Sequence, residues 1–173
     1  MGPIPNTKAG ILLEAMFKVE SNLSSSALRV IGNVKKAEAN ISLHLLEAAS
    51  DGMALVSNRI QQQGRNTAGQ TMRTKSPRSA GAYSRAYEQY RRMKGRQTSK
   101  VDFTMEGDLF RNYNIIRSTA REVVVGFLDM GMAEIAGYLE AYFGAAWFLS
   151  NAEERFIYQK LTQQILDDLQ SKR

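Results

Sequence analysis

The stretch Gly64-Arg65-Asn66-Thr67-Ala68-Gly69-Gln70-Thr71 comes closest to a chemical motif, because its glycine spacing and terminal threonine are those of a phosphate-binding loop. Gln70 stands where that loop needs the lysine that reaches the β- and γ-phosphates, and the stretch follows a helical pattern instead of a strand. No nucleotide site is expected from it. His44, the one histidine, lies in a helical stripe between Leu43 and Leu45 with no nucleophile or second ligand placed near it, so a structural or solvated role is expected. Asp102, Glu106 and Asp108 lie close together along the chain. A hard cation draws ligands from more than one segment, and carboxylates beside Gly107 suit the positive end of a short helical step better than a metal. The absence of cysteine removes disulfides, thiolate metal sites and cysteine nucleophiles. No catalytic, cofactor-binding or metal-ligating set is expected, and the chain is read as no enzyme.

Charge is the next signal. The net charge of +6 is unevenly spread over 173 residues. Residues 59–100 carry Arg59, Arg65, Arg73, Lys75, Arg78, Arg85, Arg91, Arg92, Lys94, Arg96 and Lys100 against the single acid Glu88. Residues 1–58 are balanced and residues 101–173 are net acidic. A chain polarised in this way suits an anionic partner, or the acidic face of a neighbouring copy. Within the basic part, Tyr83, Tyr87 and Tyr90 recur at helical spacing beside Arg85, Arg91 and Arg92. Aromatics interleaved with cations can hold a nucleic-acid strand, whereas the same spacing also describes a buried tyrosine stripe with solvated arginine flanks.

Other elements must position these residues. The stripe Ile11, Leu12, Ala15, Met16 and Val19 predicts a short amphipathic helix, Ser24-Ser25-Ser26 a break, and Ile31, Val34, Ile41, Leu45, Ala48, Leu55 and Ile60 one long helix with Gly52 its weakest point. Residues 64–79 read as a loop, 80–94 as a short basic helix and 101–105 as an edge strand. Strands are expected at 112–116 and 122–127, with Val123, Val125 and Phe127 on one face. A helix follows at 130–143 on Met132, Ala133, Ala136, Leu139 and Tyr142, closed by Gly144. The last helix, capped by Ser150 or Asn151, carries Phe156, Ile157, Leu161, Ile165 and Leu169. The expected fold class is α+β: long N-terminal helices, a small antiparallel sheet and C-terminal helices packed on it. The expected division is a helical extension at 1–25 and a single domain at 26–173 with a basic loop at 64–79. Met1–Asn6 has no basic n-region or apolar run, and no segment approaches the roughly 20 apolar residues that span a bilayer, so a soluble protein made in a cytoplasm is expected.

The order of short motifs carries more than any one of them. Ser76-Pro77-Arg78, Tyr83, the basic run at 91–96, Thr104-Met105-Glu106-Gly107-Asp108-Leu109, the 123–127 strand and Ala136-Gly137-Tyr138-Leu139 leading to Phe143-Gly144 follow one another in this order along the chain. This succession resembles that of the tail-completion, or head-tail joining, proteins of tailed bacteriophages, over about residues 53–169. The chain departs from the family's pattern before the last helix, where 145–150 has no proline, and residues 1–25 have no counterpart in it. The resemblance implies Thr104, Gly107, Leu109, Val125 and Gly126 as motif residues. It also implies a virion subunit that assembles as a homo-oligomeric ring in the neck or at the head-proximal end of the tail, touching portal-side connector proteins, tail tube or terminator proteins, and channel DNA. Arg65, Arg73, Lys75, Arg78, Arg85, Arg91, Arg92, Lys94 and Arg96 are then the candidate inter-subunit or DNA-facing residues. The alternative is a nucleic-acid-binding accessory protein that uses residues 59–100. No cofactor and no membrane partner are expected.

Overall fold

A computed structural model of the chain describes the backbone of residues 8–171 and the side chains of 26–171. Its first element is α1, Lys8–Asn58, a single unbroken α-helix. The break expected at Ser24-Ser25-Ser26 does not occur. A serine costs only about 0.5 kcal/mol relative to alanine inside a helix, and ending one helix to nucleate another costs more. The stripe at Ile11, Leu12, Ala15, Met16 and Val19, as a statement about side chains, and the segment Met1–Asn6 lie outside the described residues.

α1 passes into a π-helical turn, Arg59–Gln63, which ends where Gly64 turns left-handed at φ 62°. Glycine is required there for two reasons. The left-handed backbone disfavours a side chain, and a Cβ would sit 2.9 Å from Lys100 Cβ. Gly64→Ala is expected to destabilise the protein by about 1–3 kcal/mol, seen as a lower urea midpoint with unchanged slope. An unchanged midpoint would show that this corner relaxes freely.

After the turn come α2 (Arg85–Met93), α3 (Asp108–Asn112), strands β1 (Tyr113–Ser118) and β2 (Val123–Phe127), then α4 (Met130–Phe143) and α5 (Asn151–Gln170). The fold is α+β, with five α-helices and one two-stranded antiparallel sheet among the described residues. The strand expected at 101–105 is a correction. That segment is irregular and pairs with no strand: Phe103 turns left-handed at φ 52°, Val101, Asp102 and Phe103 are all buried, and Asp102 gives its N–H to the Tyr83 hydroxyl. α2 starts later than expected, since Tyr83 turns into the core and Ser84 is extended ahead of Arg85. In the hairpin, Tyr113 faces Phe127 and Ile115 faces Val125, with an irregularity at Ile116 whose side chain lies over Gly126. A Cβ on Gly126 would meet Ile116 Cδ1 at 3.1 Å.

The chain divides into two compact units, residues 1–40 with 165–173, and Ile41–Gln164. In the first, the end of α5 docks on α1 through polar contacts. Asn33 donates to the carbonyls of Leu169 (2.7 Å) and Ser171 (3.4 Å), among the last acceptors that a helix end leaves unsatisfied. Asn40 and Lys36 both reach the buried Asp168, at 2.9 and 3.4 Å, around the buried Ala37.

The second unit holds the apolar core. Val56, Ile60, Met72, Val101, Leu109, Tyr113, Ala136 and Trp147 are among its buried members. Trp147 is its centre, with its ring 4.9 to 5.8 Å from those of Phe103, Phe110, Tyr113 and Phe127. Val125 and Phe127 of β2 pack on this core as their alternation predicts. The stripe of α4 is shifted from expectation. Met132, Ala136, Leu139 and Phe143 face the core while Ala133 and Tyr142 are exposed. On α5, Phe156 and Leu169 are likewise exposed instead of buried. Gly52 sits beneath Leu149, 3.5 Å from where its Cβ would be, so the expected weak point of α1 is a packing site.

Candidate functional site

The loop at 64–79 has no regular secondary structure beyond a bridge between Arg65 and Thr71, yet it is tethered throughout. Asn66 N–H donates to the Gln70 carbonyl, Gln70 N–H to Asn66 Oδ1, Met72 N–H to the Gly64 carbonyl and Thr67 N–H to the Ala145 carbonyl. These are the amides that a phosphate-binding loop would turn toward a ligand, and here they are spent on the protein itself. Met72 anchors the far side of the loop in the core. A long loop is therefore held as a fixed platform for Arg65, Arg73, Lys75 and Arg78, all of them exposed.

α2 extends this platform. Arg85, Arg92, Lys94 and Arg96 are exposed, and Tyr87 and Tyr90 are half-exposed with ring centroids 6.2 Å apart. Lys94 Nζ lies 5.9 Å from the Tyr90 ring centroid, and Arg92 pairs with Glu88 one turn away. Lys75 lies 5.3 Å from the Tyr142 ring centroid, and its N–H donates to the Tyr142 hydroxyl at 2.7 Å. The hydrogen bond between the Thr74 and Tyr142 hydroxyls, and that from this N–H, hold the Tyr142 pKa below the ordinary tyrosine value. Arg65, Arg73, Arg78, Arg85 and Arg96 make no ion pair among the described residues.

Arg91 leaves this set, and that is the main correction to the expected site. It is 1% exposed. Its guanidinium donates to both carboxylate oxygens of Asp102 (2.9 and 3.1 Å) and to the Gln97 carbonyl (2.9 Å), and it stacks 4.5 Å from the Tyr83 ring centroid. Asp102 also accepts from the Tyr83 hydroxyl, from Gln97 and from Thr104 N–H. Every arm of the buried carboxylate is thus satisfied, as burial demands. Burial pushes the Tyr83 hydroxyl pKa up, with the neighbouring Asp102 charge adding to it. Nothing in the local spacing distinguishes Arg91 from Arg92, because the partner that buries it lies eleven residues along the chain.

A second buried cation was not expected to have a role. Arg59 donates to Glu153 at 2.9 and 3.1 Å, and to the carbonyls of Ala146 (3.1 Å) and Phe148 (2.6 Å), so it ties the end of α1 to the start of α5. Ser150 and Glu153 form a capping box, with Ser150 N–H on Glu153 Oε2 at 2.7 Å and Glu153 N–H on Ser150 Oγ at 3.4 Å. Burial alone would raise the Glu153 carboxyl, but the Ser150 N–H and Arg59 outweigh it and hold the pKa below the ordinary glutamate value. A depressed folded-state pKa contributes stability above the unfolded value that is lost as pH falls through the folded one. We expect the thermal midpoint to fall on acidification below the ordinary glutamate range, and less steeply in Glu153→Gln. Parallel acid profiles would remove Glu153 from the linkage.

The motif residues have structural jobs. Thr104 accepts from Gln61 at 3.2 Å and donates its hydroxyl to the Asp102 carbonyl at 3.0 Å. Gly107 is left-handed at φ 91° and starts α3, which delivers Leu109 to the core. Asp108 pairs with Arg111, and Glu106 is exposed, so the three neighbouring carboxylates do not converge. Among the described residues no three His, Asp or Glu side chains gather as a cation site would need. No helix among them is long and apolar enough to cross a membrane.

Two open grooves complete the second unit. One, of about 380 Å³, is lined by Tyr83, Tyr87, Arg91, Phe103, Leu139 and Tyr142. The other, of about 550 Å³, is lined by Ala48, Gly52, Val125, Trp147, Glu154 and Ile157, among others. Compared with known proteins, the chain matches no family model, no curated protein and no solved structure.

Proposed function

We propose that this chain is a structural virion subunit that closes into a ring in the neck, or at the tail-completion position, and joins a phage tail to its head. One observation carries the reading: a well-packed core coexists with many large apolar side chains left on the surface. Met130 is 82% exposed and Tyr138 74%, and Leu128, Phe148 and Tyr158 are exposed as well. Scattered apolar residues are ordinary, but this number on a chain with a complete aromatic core supports a subunit whose surface is covered by neighbours. Ring closure needs two different complementary faces on each subunit, and the polarised charge of the chain supplies a basis for them. The neighbours in this reading are further copies, portal-side neck proteins on one side and tail tube or terminator proteins on the other. Thr104, Gly107, Leu109, Val125 and Gly126 are structural in it, and the assembly does no catalysis.

Electron microscopy of particles made when the gene carries a stop codon tests the reading. Filled heads beside detached or malformed tails are expected. Intact virions would end it.

The exposed cations around Tyr87 and Tyr90 favour a second reading, a nucleic-acid-binding protein that uses the platform of loop 64–79 and α2. Its signature is an affinity for DNA that falls steeply with salt. Neutralising Arg92, Lys94 and Arg96 together should flatten that dependence, and Arg91 is left untouched because it holds the fold.

A further inference from the structure

The two edges of the hairpin are not alike. Leu128 N–H donates to the Asn112 carbonyl and Thr119 N–H to the Glu122 carbonyl, so by the alternation of an antiparallel pair Val124 and Gly126 turn their backbone groups toward β1. Those of Val123, Val125 and Phe127 face away from it. On β1 the outward groups are already spent: Tyr113 N–H bonds to the Leu109 carbonyl and Ile115 N–H to Asn114 Oδ1 at 2.8 Å. The irregularity between Ile115 and Arg117, and the Arg117 charge, guard the rest of that edge. β2 has none of these devices. Val123–Phe127 carries no charge and no proline, its residues are half-buried, and among the described residues nothing hydrogen-bonds to the outward groups of Val123, Val125 and Phe127.

An unguarded edge is a template for another strand. Its outward groups are spaced evenly about Val125, so a second β2 running antiparallel meets them in register, with Val125 opposite Val125 and Val123 opposite Phe127. Charge favours this occupant and this register. Just beyond the strand ends, the same register sets Arg121 of one copy opposite Asp129 of the other. Both are exposed, and neither makes an ion pair among the described residues. Asp129 spends Oδ1 on the Met132 N–H and keeps Oδ2, whereas the adjacent Glu122 is already taken by Arg117. We propose that β2 of one copy pairs antiparallel with β2 of a second copy about a two-fold axis at Val125, flanked by two Arg121–Asp129 pairs. A two-fold contact is used up by two copies, so this interface goes beyond the ring reading and does not rest on it.

Sedimentation and residue-resolved amide exchange of the full chain, over a concentration series up to about 1 mM where small interfaces associate, are the test. In dilute protein the amides of Val123, Val125 and Phe127 should exchange fast and those of Val124 and Gly126 slowly. The first three should slow about tenfold or more as a dimer forms. Val123→Pro removes an outward N–H and no bond of the hairpin, and Arg121→Glu sets like charges opposite each other. Each should weaken dimerisation about tenfold, Arg121→Glu with an unchanged thermal melt because that side chain is exposed. A chain that stays monomeric overturns the interface, and so does a dilute monomer in which the three amides are already slow. Association that leaves those amides fast, or that Arg121→Glu does not weaken, overturns it as well and leaves the ring reading standing.

Discussion

Asp102→Ala is expected to cost about 3–5 kcal/mol of folding stability, the largest effect of any single polar substitution in the chain. The substitution leaves the Arg91 guanidinium buried without its counter-charge and strips partners from Tyr83, Gln97 and Thr104 at the same time. The penalty comes from the stranded charge and not from the lost attraction, because a buried pair replaced as a whole is often neutral. Arg91→Met with Asp102→Leu should therefore be much milder than Asp102→Ala alone. Urea unfolding of the two single variants and the double variant gives the coupling between the residues. If Asp102→Ala costs under about 1 kcal/mol, the pair is solvated in solution and Arg91 returns to the exposed basic set.

Trp147→Ala ranks with it, at about 3–5 kcal/mol, for a different reason. Four aromatic rings surround this one indole, and deleting it opens a void beside the larger groove that the hairpin and α5 cannot both close. Trp147→Phe should cost far less, because it keeps most of the volume and removes a buried indole N–H that has no hydrogen-bond partner among the described residues. The chain's single tryptophan also reports on itself. Its fluorescence should follow the global unfolding transition seen by circular dichroism. Separated transitions would mean that the aromatic cluster melts apart from the helices.

These two effects, one on a buried charge and one on a core ring, bear on how the surface is read. Basic residues that hold the fold cannot be scored as binding residues, and removing them would abolish binding by unfolding the protein. The exposed set of Arg65, Arg73, Lys75, Arg78, Arg85, Arg92, Lys94 and Arg96 can be neutralised without that penalty, which makes it the proper set for testing contacts with DNA or with a neighbour.

The hairpin, α4 and the start of α5 were legible in the residues because each is specified by local chemistry. Alternation of Val123, Val125 and Phe127 marks a half-buried strand, Gly144 ends α4, and Ser150 with Glu153 caps α5. The edge strand at 101–105 was misread because alternating residue types do not record burial or backbone: Val101, Asp102 and Phe103 are all buried, Asp102 held by Tyr83 and Arg91, and Phe103 turns left-handed. The serine break was misread because three weakly unfavourable residues do not outweigh the helical bonds on either side.

What the sequence determined by itself was therefore the class of fold, the positions of most elements and the concentration of positive charge at 59–100, all of which follow from short-range periodicity and composition. Only the tertiary structure decided which of those charges face water. Arg59 and Arg91 are drawn inward by Glu153 and Asp102, carboxylates that lie far from them in sequence or across an irregular turn. The desolvation cost of a guanidinium is met only where such a partner converges on it in space, and no pattern along the chain records that convergence.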